Sequence, residues 1–176
     1  MLTRTNELLI TMNAARFASC TMLYIDPRDG QVTGASAGHV PLLCAREDDS
    51  SDIRELLGGP VLGVLTGTDY LEETFTLDEG TALVMLTDGV VEGPGQTLEA
   101  GLERAGILAG QALRDGLNAE AIADRILGAA VAVDHLTTWP CWSSSAHNGI
   151  SRFVLQDYSS YGSVVARAPS VPDPTR

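Results

Sequence analysis

Lysine is absent: all 11 basic residues of the 176-residue chain are arginine, set against 23 aspartates and glutamates. Together with abundant Ala, Gly and Leu, this points to a GC-rich gene, since lysine codons are AT-rich. The formal net charge of −12 and a pI near 4.4 exclude nucleic acid and anionic membrane surfaces as main partners, because phosphates would be repelled. No apolar run reaches the ~18 residues of a membrane span. The first residues also lack the basic, apolar and small-residue order of a secretory signal, so the expectation is a cytoplasmic chain with no membrane partner. Cysteine is scarce and odd in number. Cys20, Cys44 and Cys141 lie far apart, without a C-x-x-C or a histidine at zinc-site spacing, and read as reduced thiols.

What the chain does have is 44% hydrophobic residues, enough at this length for one core. Leu8, Leu9 and Met12 recur at helical spacing, predicting a short amphipathic helix over Asn6 to Ala15. Phe17 to Ile25 is rich in strand formers, and Asp26-Pro27-Arg28-Asp29-Gly30 turns the chain into a second strand, Gln31 to Ala37. Val40 to Ala45 resumes extended structure, the acidic stretch Glu47 to Asp52 is a solvated loop, and Ile53 to Leu57 is a short strand or turn. Gly58-Gly59-Pro60-Val61-Leu62-Gly63 has its second glycine misplaced for G-x-G-x-x-G and no βαβ pattern around it, so a nucleotide site is discounted. Leu71 to Leu77 alternates apolar and polar residues, and Thr81 to Leu86 is an apolar run expected as a buried strand.

Leu98, Leu102 and Ala105 share one helical face that Gly101, Gly106 and Gly110 should weaken. Asn118 is a plausible N-cap for a second helix striped by Ile122, Ile126 and Ala130. Strands followed by helices make the class α+β. From His135 onward the pattern breaks: Trp139, Cys141, Trp142 and Ser143-Ser144-Ser145 show no sustained period, and Phe153 to Leu155 is the one run suited to an edge.

Thr87-Asp88-Gly89 closes the buried apolar run with a carboxylate and a glycine. Asp-Gly is a common hairpin dipeptide, so the bland reading is a turn. The functional reading is an oxygen ligand for a hard cation such as Mg²⁺ or Mn²⁺. Ser36 has no His-Asp pair at a defined spacing and is not a nucleophile.

The order of several blocks decides between these readings. Ala35-Ser36-Ala37-Gly38-His39-Val40-Pro41, Pro60-Val61-Leu62-Gly63-Val64, Leu86-Thr87-Asp88-Gly89-Val90-Val91-Glu92 and Gly101-Leu102-Glu103-Arg104 follow one another as in the SpoIIE/RsbU-type PPM (PP2C-like) serine/threonine phosphatases. The resemblance covers roughly residues 5 to 133. It implies an α-β-β-α sandwich of two antiparallel sheets flanked by helices, with paired Mn²⁺ or Mg²⁺ ions activating a water that attacks phosphoserine or phosphothreonine in line. It implies a phosphorylated anti-anti-sigma-like protein as substrate. Asp88 matches the family's Asp-Gly metal ligand, with Gly89 beside the cofactor. His39 is a weaker catalytic candidate, since the family's Ser-Ala-Gly-His block lies outside its ligand set and a positional role fits it better. Glu92 matches a frequent family position without a derivable role.

Two departures bear on activity. The family's opening strands carry an aspartate that bridges the metals, and this chain begins after that point. The family closes with an Asp-Asp pair leading into an apolar strand, where this chain has Asp134-His135-Leu136-Thr137-Thr138. Asp134 is the candidate substituted ligand. With GC-rich codons, reading from the third base of the Leu136 codon gives Asp-Asp-Leu-Ala-Val-Leu-Val, so the tail reads as a frame-shifted family C-terminus. The expected organisation is a partial phosphatase domain over 1–133 and an off-family, poorly ordered tail over 134–176. A missing terminal strand should leave a sheet edge open. A catalytically inactive fragment or pseudophosphatase that binds a partner is the alternative function.

Overall fold

The computed structural model describes residues 1–12, 17–26, 28–93, 95–131 and 163–167. In chain order its elements are α1 (Leu2–Thr11), β1 (Cys20–Ile25), β2 (Gln31–Ala37), β3 (Leu42–Ala45), β4 (Ser51–Arg54), β5 (Gly58–Gly59), β6 (Glu73–Thr76), β7 (Ala82–Leu86), α2 (Asp88–Val91), α3 (Leu98–Arg114), α4 (Ala119–Val131) and β8 (Ser163–Arg167). They divide into two compact units, Met1–Pro41 with Glu55–Thr76, and Leu42–Arg54 with Leu77–Arg176. The α+β class expected from the sequence holds.

In the first unit β1 and β2 form the expected hairpin, antiparallel from Cys20 opposite Ala37 to Ile25 opposite Val32. Gly30 closes the turn at φ 69°, a conformation that costs glycine little. On its other side β2 takes β6 antiparallel over Gln31–Gly34 and β5 in a two-residue parallel contact at Ser36 and Ala37. That parallel pair is the exception to otherwise antiparallel sheets. The glycine-rich segment thus builds a sheet edge, and a Cβ on Gly58 would lie 1.8 Å from the Ser36 carbonyl oxygen.

The first helix runs four residues upstream of its expected start, because Leu2, Asn6 and Leu9 share a face and the first two are buried. Leu2 packs with Ala35, Ala37, Leu62 and Tyr70. Asn6 is fully buried and bridges two backbone groups: its Nδ2 donates to Leu65 O and its Oδ1 accepts from Gly63 N, each at 2.8 Å. Asn6 is therefore a structural clamp for the loop after β5.

In the second unit the sheet order is β4-β3-β7-β8, antiparallel throughout. The solvated loop expected at Glu47 to Asp52 is shorter than that, since Ser51 and Asp52 already pair with Ala45 and Cys44. Its turn is stabilised by Asp49, which sits at φ 66° and forms an ion pair with Arg114 of α3. Cys44 is buried in β3, and burial pushes its thiol above the ordinary value. It is a small core residue rather than a nucleophile; Cys141 lies outside the described residues. The missing-strand expectation is corrected at β7: its edge is covered, because Ser163–Arg167 pairs with it. Phe153 to Leu155, the expected edge, lies outside the described residues.

Helix α3 shows why its glycines do not disqualify it. A Cβ on Gly101 would lie 1.9 Å from Val91 O, one on Gly106 2.4 Å from Ser51 Oγ, and one on Gly110 2.8 Å from Arg46 O. The helix needs these positions bare to approach its neighbours. Leu102, Ala105, Ala109 and Leu113 then face the core with Ile122 and Ile126 of α4. Thr97 Oγ1 accepts from Ala100 N to cap α3, and Asn118 Oδ1 accepts from Ala121 N to cap α4 as expected.

Replacing Asn6 by Ala should leave the half-buried Gly63 N–H without its acceptor, while Leu65 C=O keeps Thr68 Oγ1, and lower stability by about 1 to 3 kcal/mol, read from urea unfolding. In α3 and α4 the glycines should separate. Gly101→Ala should destabilise by about 2 to 3 kcal/mol through overpacking, whereas Gly128→Ala, with open space around its Cβ position, should stabilise by about 0.5 to 1 kcal/mol through helix propensity.

Candidate active site

Asp88 follows β7 after one residue and opens α2, a single helical turn. The hairpin turn that Asp-Gly suggests locally does not form. Val90 and Val91, 4% and 0% exposed, instead pull the chain back into the core, and that burial favours a helical turn over a reversal. The turn is also held from behind: Gln96 Nε2 donates to Val91 O at 2.6 Å, and Glu92 N donates to Asp88 O at 2.7 Å. Anchored this way, Asp88 and Gly89 stay exposed. The Asp88 Oδ1 accepts from Gly89 N at 2.8 Å, which orients the carboxylate. Gln96 was not singled out by sequence; a lone amide beside Gly93-Pro94-Gly95 carries no signal of its own.

His39 belongs to the first unit and Asp88 to the second. His39 is half-buried and its position is strongly specified. Gly38 precedes it at φ 61°, and a Cβ there would lie 2.6 Å from Val61 Cγ1, so the Gly-His step admits glycine alone. The His39 N–H donates to Ser36 Oγ at 3.3 Å, which is the structural use of Ser36. Ser19 Oγ and His39 Nδ1 are 3.0 Å apart, and Ala18, one residue earlier, exchanges two backbone hydrogen bonds with Leu62. Glu92 is exposed. Asp134 lies outside the described residues.

Two cations would need a shared ligand and several carboxylates between them. Among the described residues no group of three or more His, Cys, Asp or Glu side chains could hold a metal ion. Asp88 is therefore an exposed carboxylate at a strand end, and the described residues do not assemble the metal pair.

A two-sheet α+β chain with an exposed aspartate closing a buried strand is the fold class of PP2C-type phosphatase domains, and solved structures agree. The RsbU and RsbW domains of Rv1364c from Mycobacterium tuberculosis match at 25% identity and a TM-score of 0.61 over 71% of this chain and 35% of that one. The Mn-presoaked phosphatase domain of the cell fate determinant SpoIIE from Bacillus subtilis matches at 17% identity and a TM-score of 0.56, over 96% and 66%. The SiaA-PP2C domain of Pseudomonas aeruginosa gives 17% and 0.56, over 74% and 52%. The chain thus spans about a third of the length of the first of these. The family described as Stage II sporulation protein E (SpoIIE) matches residues 1–137, and the chain belongs to that family.

Because Asp88 is exposed and its side-chain hydrogen bond among the described residues is to the adjacent Gly89 N–H, Asp88→Asn should change unfolding free energy by less than about 0.5 kcal/mol. Urea titrations of the two forms should overlay, so a loss of activity or metal binding in this variant reads as chemistry and not as unfolding.

Proposed function

We propose that the chain serves in protein serine/threonine dephosphorylation of the SpoIIE type, acting on phosphoserine or phosphothreonine of a bacterial regulatory protein, with Asp88 as a ligand to Mn²⁺ or Mg²⁺ and Gly89 beside it. The observation that carries this reading is the Asp88 turn: an exposed carboxylate on a strand end whose next apolar residues, Val90 and Val91, are buried. Hard divalent cations favour such oxygen donors. Membership of the family supports the reaction class. The proposed substrate is a phosphorylated anti-anti-sigma-like protein in the cytoplasm. In this reading residues 1–133 are the phosphatase-type portion, 134–176 an off-family tail, Asp134 a second candidate ligand, and His39 a positioning residue.

A single carboxylate does not hold a cation pair, and the described residues bring no acidic cluster to it. The two-metal arrangement of the family does not fit the residues described. The same observation favours a second reading, a pseudophosphatase that binds its phosphoprotein without turnover.

Hydrolysis of a phosphoserine peptide in Mn²⁺, with EDTA and Asp88→Asn as controls, separates the two. Turnover lost in both controls supports the phosphatase. Phosphoprotein binding without turnover at any Mn²⁺ concentration assigns the second reading; turnover that persists in Asp88→Asn removes Asp88 from the site.

A further inference from the structure

The fourth strand of the second sheet comes from an unexpected place. The family match ends at residue 137, yet β8, Ser163–Arg167, pairs with β7 over its full length, from Ala82 opposite Arg167 to Leu86 opposite Ser163. A segment outside the family-matched region therefore completes the sheet. It lies next to α4 as well as β7, and residues 132–162 connect it to the rest of the chain.

Strand β7 demands some occupant on that side. Ala82, Leu83, Val84 and Leu86 are each 2% exposed or less. With β8 in place the strand is enclosed, and the N–H and C=O groups of its second edge are paired by β8; losing that strand leaves them to find another partner, at a free-energy cost for each group that water does not reach. Pairing with any extended backbone removes that cost. The sequence at this edge, Ser-Val-Val-Ala-Arg, contributes two β-branched residues and a single charge at its end, a composition suited to a strand. Main-chain recognition of this kind supplies affinity with little demand on side-chain identity, as in other strand-addition interfaces.

We propose that the outer edge of β7 is a strand-acceptor site for an extended, mostly uncharged, β-branched peptide, and that Ser163–Arg167 is its resident and exchangeable occupant. The long connection makes docking intramolecular without making it permanent: its advantage over a peptide in solution is the effective concentration set by the tether. Weakening β8 therefore opens the edge to a peptide of the same class in trans.

The test uses the full chain and a fluorescent peptide spanning Tyr161 to Pro169. Val165→Pro removes a strand N–H and disfavours pairing. In that variant, hydrogen exchange across Ala82–Leu86 should rise by about tenfold or more while α3 keeps its protection, and the peptide should bind at least about tenfold more tightly than to the parent chain. Unchanged exchange in β7, or a peptide that binds neither form, overturns the proposal. Should Val165→Pro also lose α3 protection, Met85→Cys with Val164→Cys gives an independent reading, because those residues are directly opposed. Oxidation should cross-link this pair and exclude the peptide, and reduction should readmit it. Failure to cross-link, or peptide binding that ignores the cross-link, equally refutes the exchangeable strand.

Discussion

Burial of β7 is the constraint on which the second unit depends. Four of its five residues have almost no exposed surface, and the strand satisfies its backbone groups sideways, on β3 at one edge and on β8 at the other. The strand does not continue far past Leu86, because Asp88 and Gly89 are solvent-exposed, and it cannot reverse, because Val90 and Val91 belong in the core. The compromise is one helical turn. Its approach to α3 is so close that the Val91 carbonyl oxygen occupies the space of a Gly101 side chain. An exposed carboxylate on an otherwise apolar junction is thus produced by packing, before any question of a ligand arises.

How much of this was legible depended on how local each determinant was. β2 was read at its true limits, Gln31 to Ala37, because a turn signal precedes it and Gly38 ends it. The α4 cap at Asn118 and its stripe of Ile122, Ile126 and Ala130 were equally local and equally readable. The α2 turn was not. Asp-Gly reads as a hairpin within four residues, and what overrides it is burial of Val90 and Val91 against α3 and α4, a tertiary term. Gly101, Gly106 and Gly110 lowered the expectation of a helix for the same reason: propensity registers their cost, while their benefit lies in contacts with residues 10 to 64 positions away. β8 was out of reach because a strand's partner on the far side of residues 132–162 leaves no mark in periodicity.

The candidate site was legible as a family pattern more than as geometry. Asp88 stood out because the blocks around it occur in a recognisable order, and the match over residues 1–137 agrees with that order. His39 stood out for the same reason. The structure adds the physical cause of the Ser-Ala-Gly-His block: serine holds the histidine backbone N–H, the small alanine faces the core, glycine supplies a left-handed turn against Val61, and the ring meets Ser19. A block can be strongly specified by such constraints without touching a substrate. A positioning role for His39 fits those contacts, whereas at Asp88 packing already accounts for the exposure of the carboxylate, so the functional reading there leans on the family pattern as well.

That exposure has a further consequence. An exposed aspartate costs almost nothing to keep, so its presence alone says little about selection for a cation. A metal pair is different, because bringing several carboxylates together raises mutual repulsion that an unmetallated fold must tolerate. The described residues show no such concentration of acid around Asp88, and four described aspartates, Asp26, Asp49, Asp52 and Asp115, are paired with Arg28, Arg114, Arg46 and Arg125. A cation at Asp88 would therefore gain one ligand and little electrostatic focusing. High affinity there requires carboxylates from outside the described residues, with Asp134 the candidate named by sequence, and low affinity is the direct expectation for Asp88 alone.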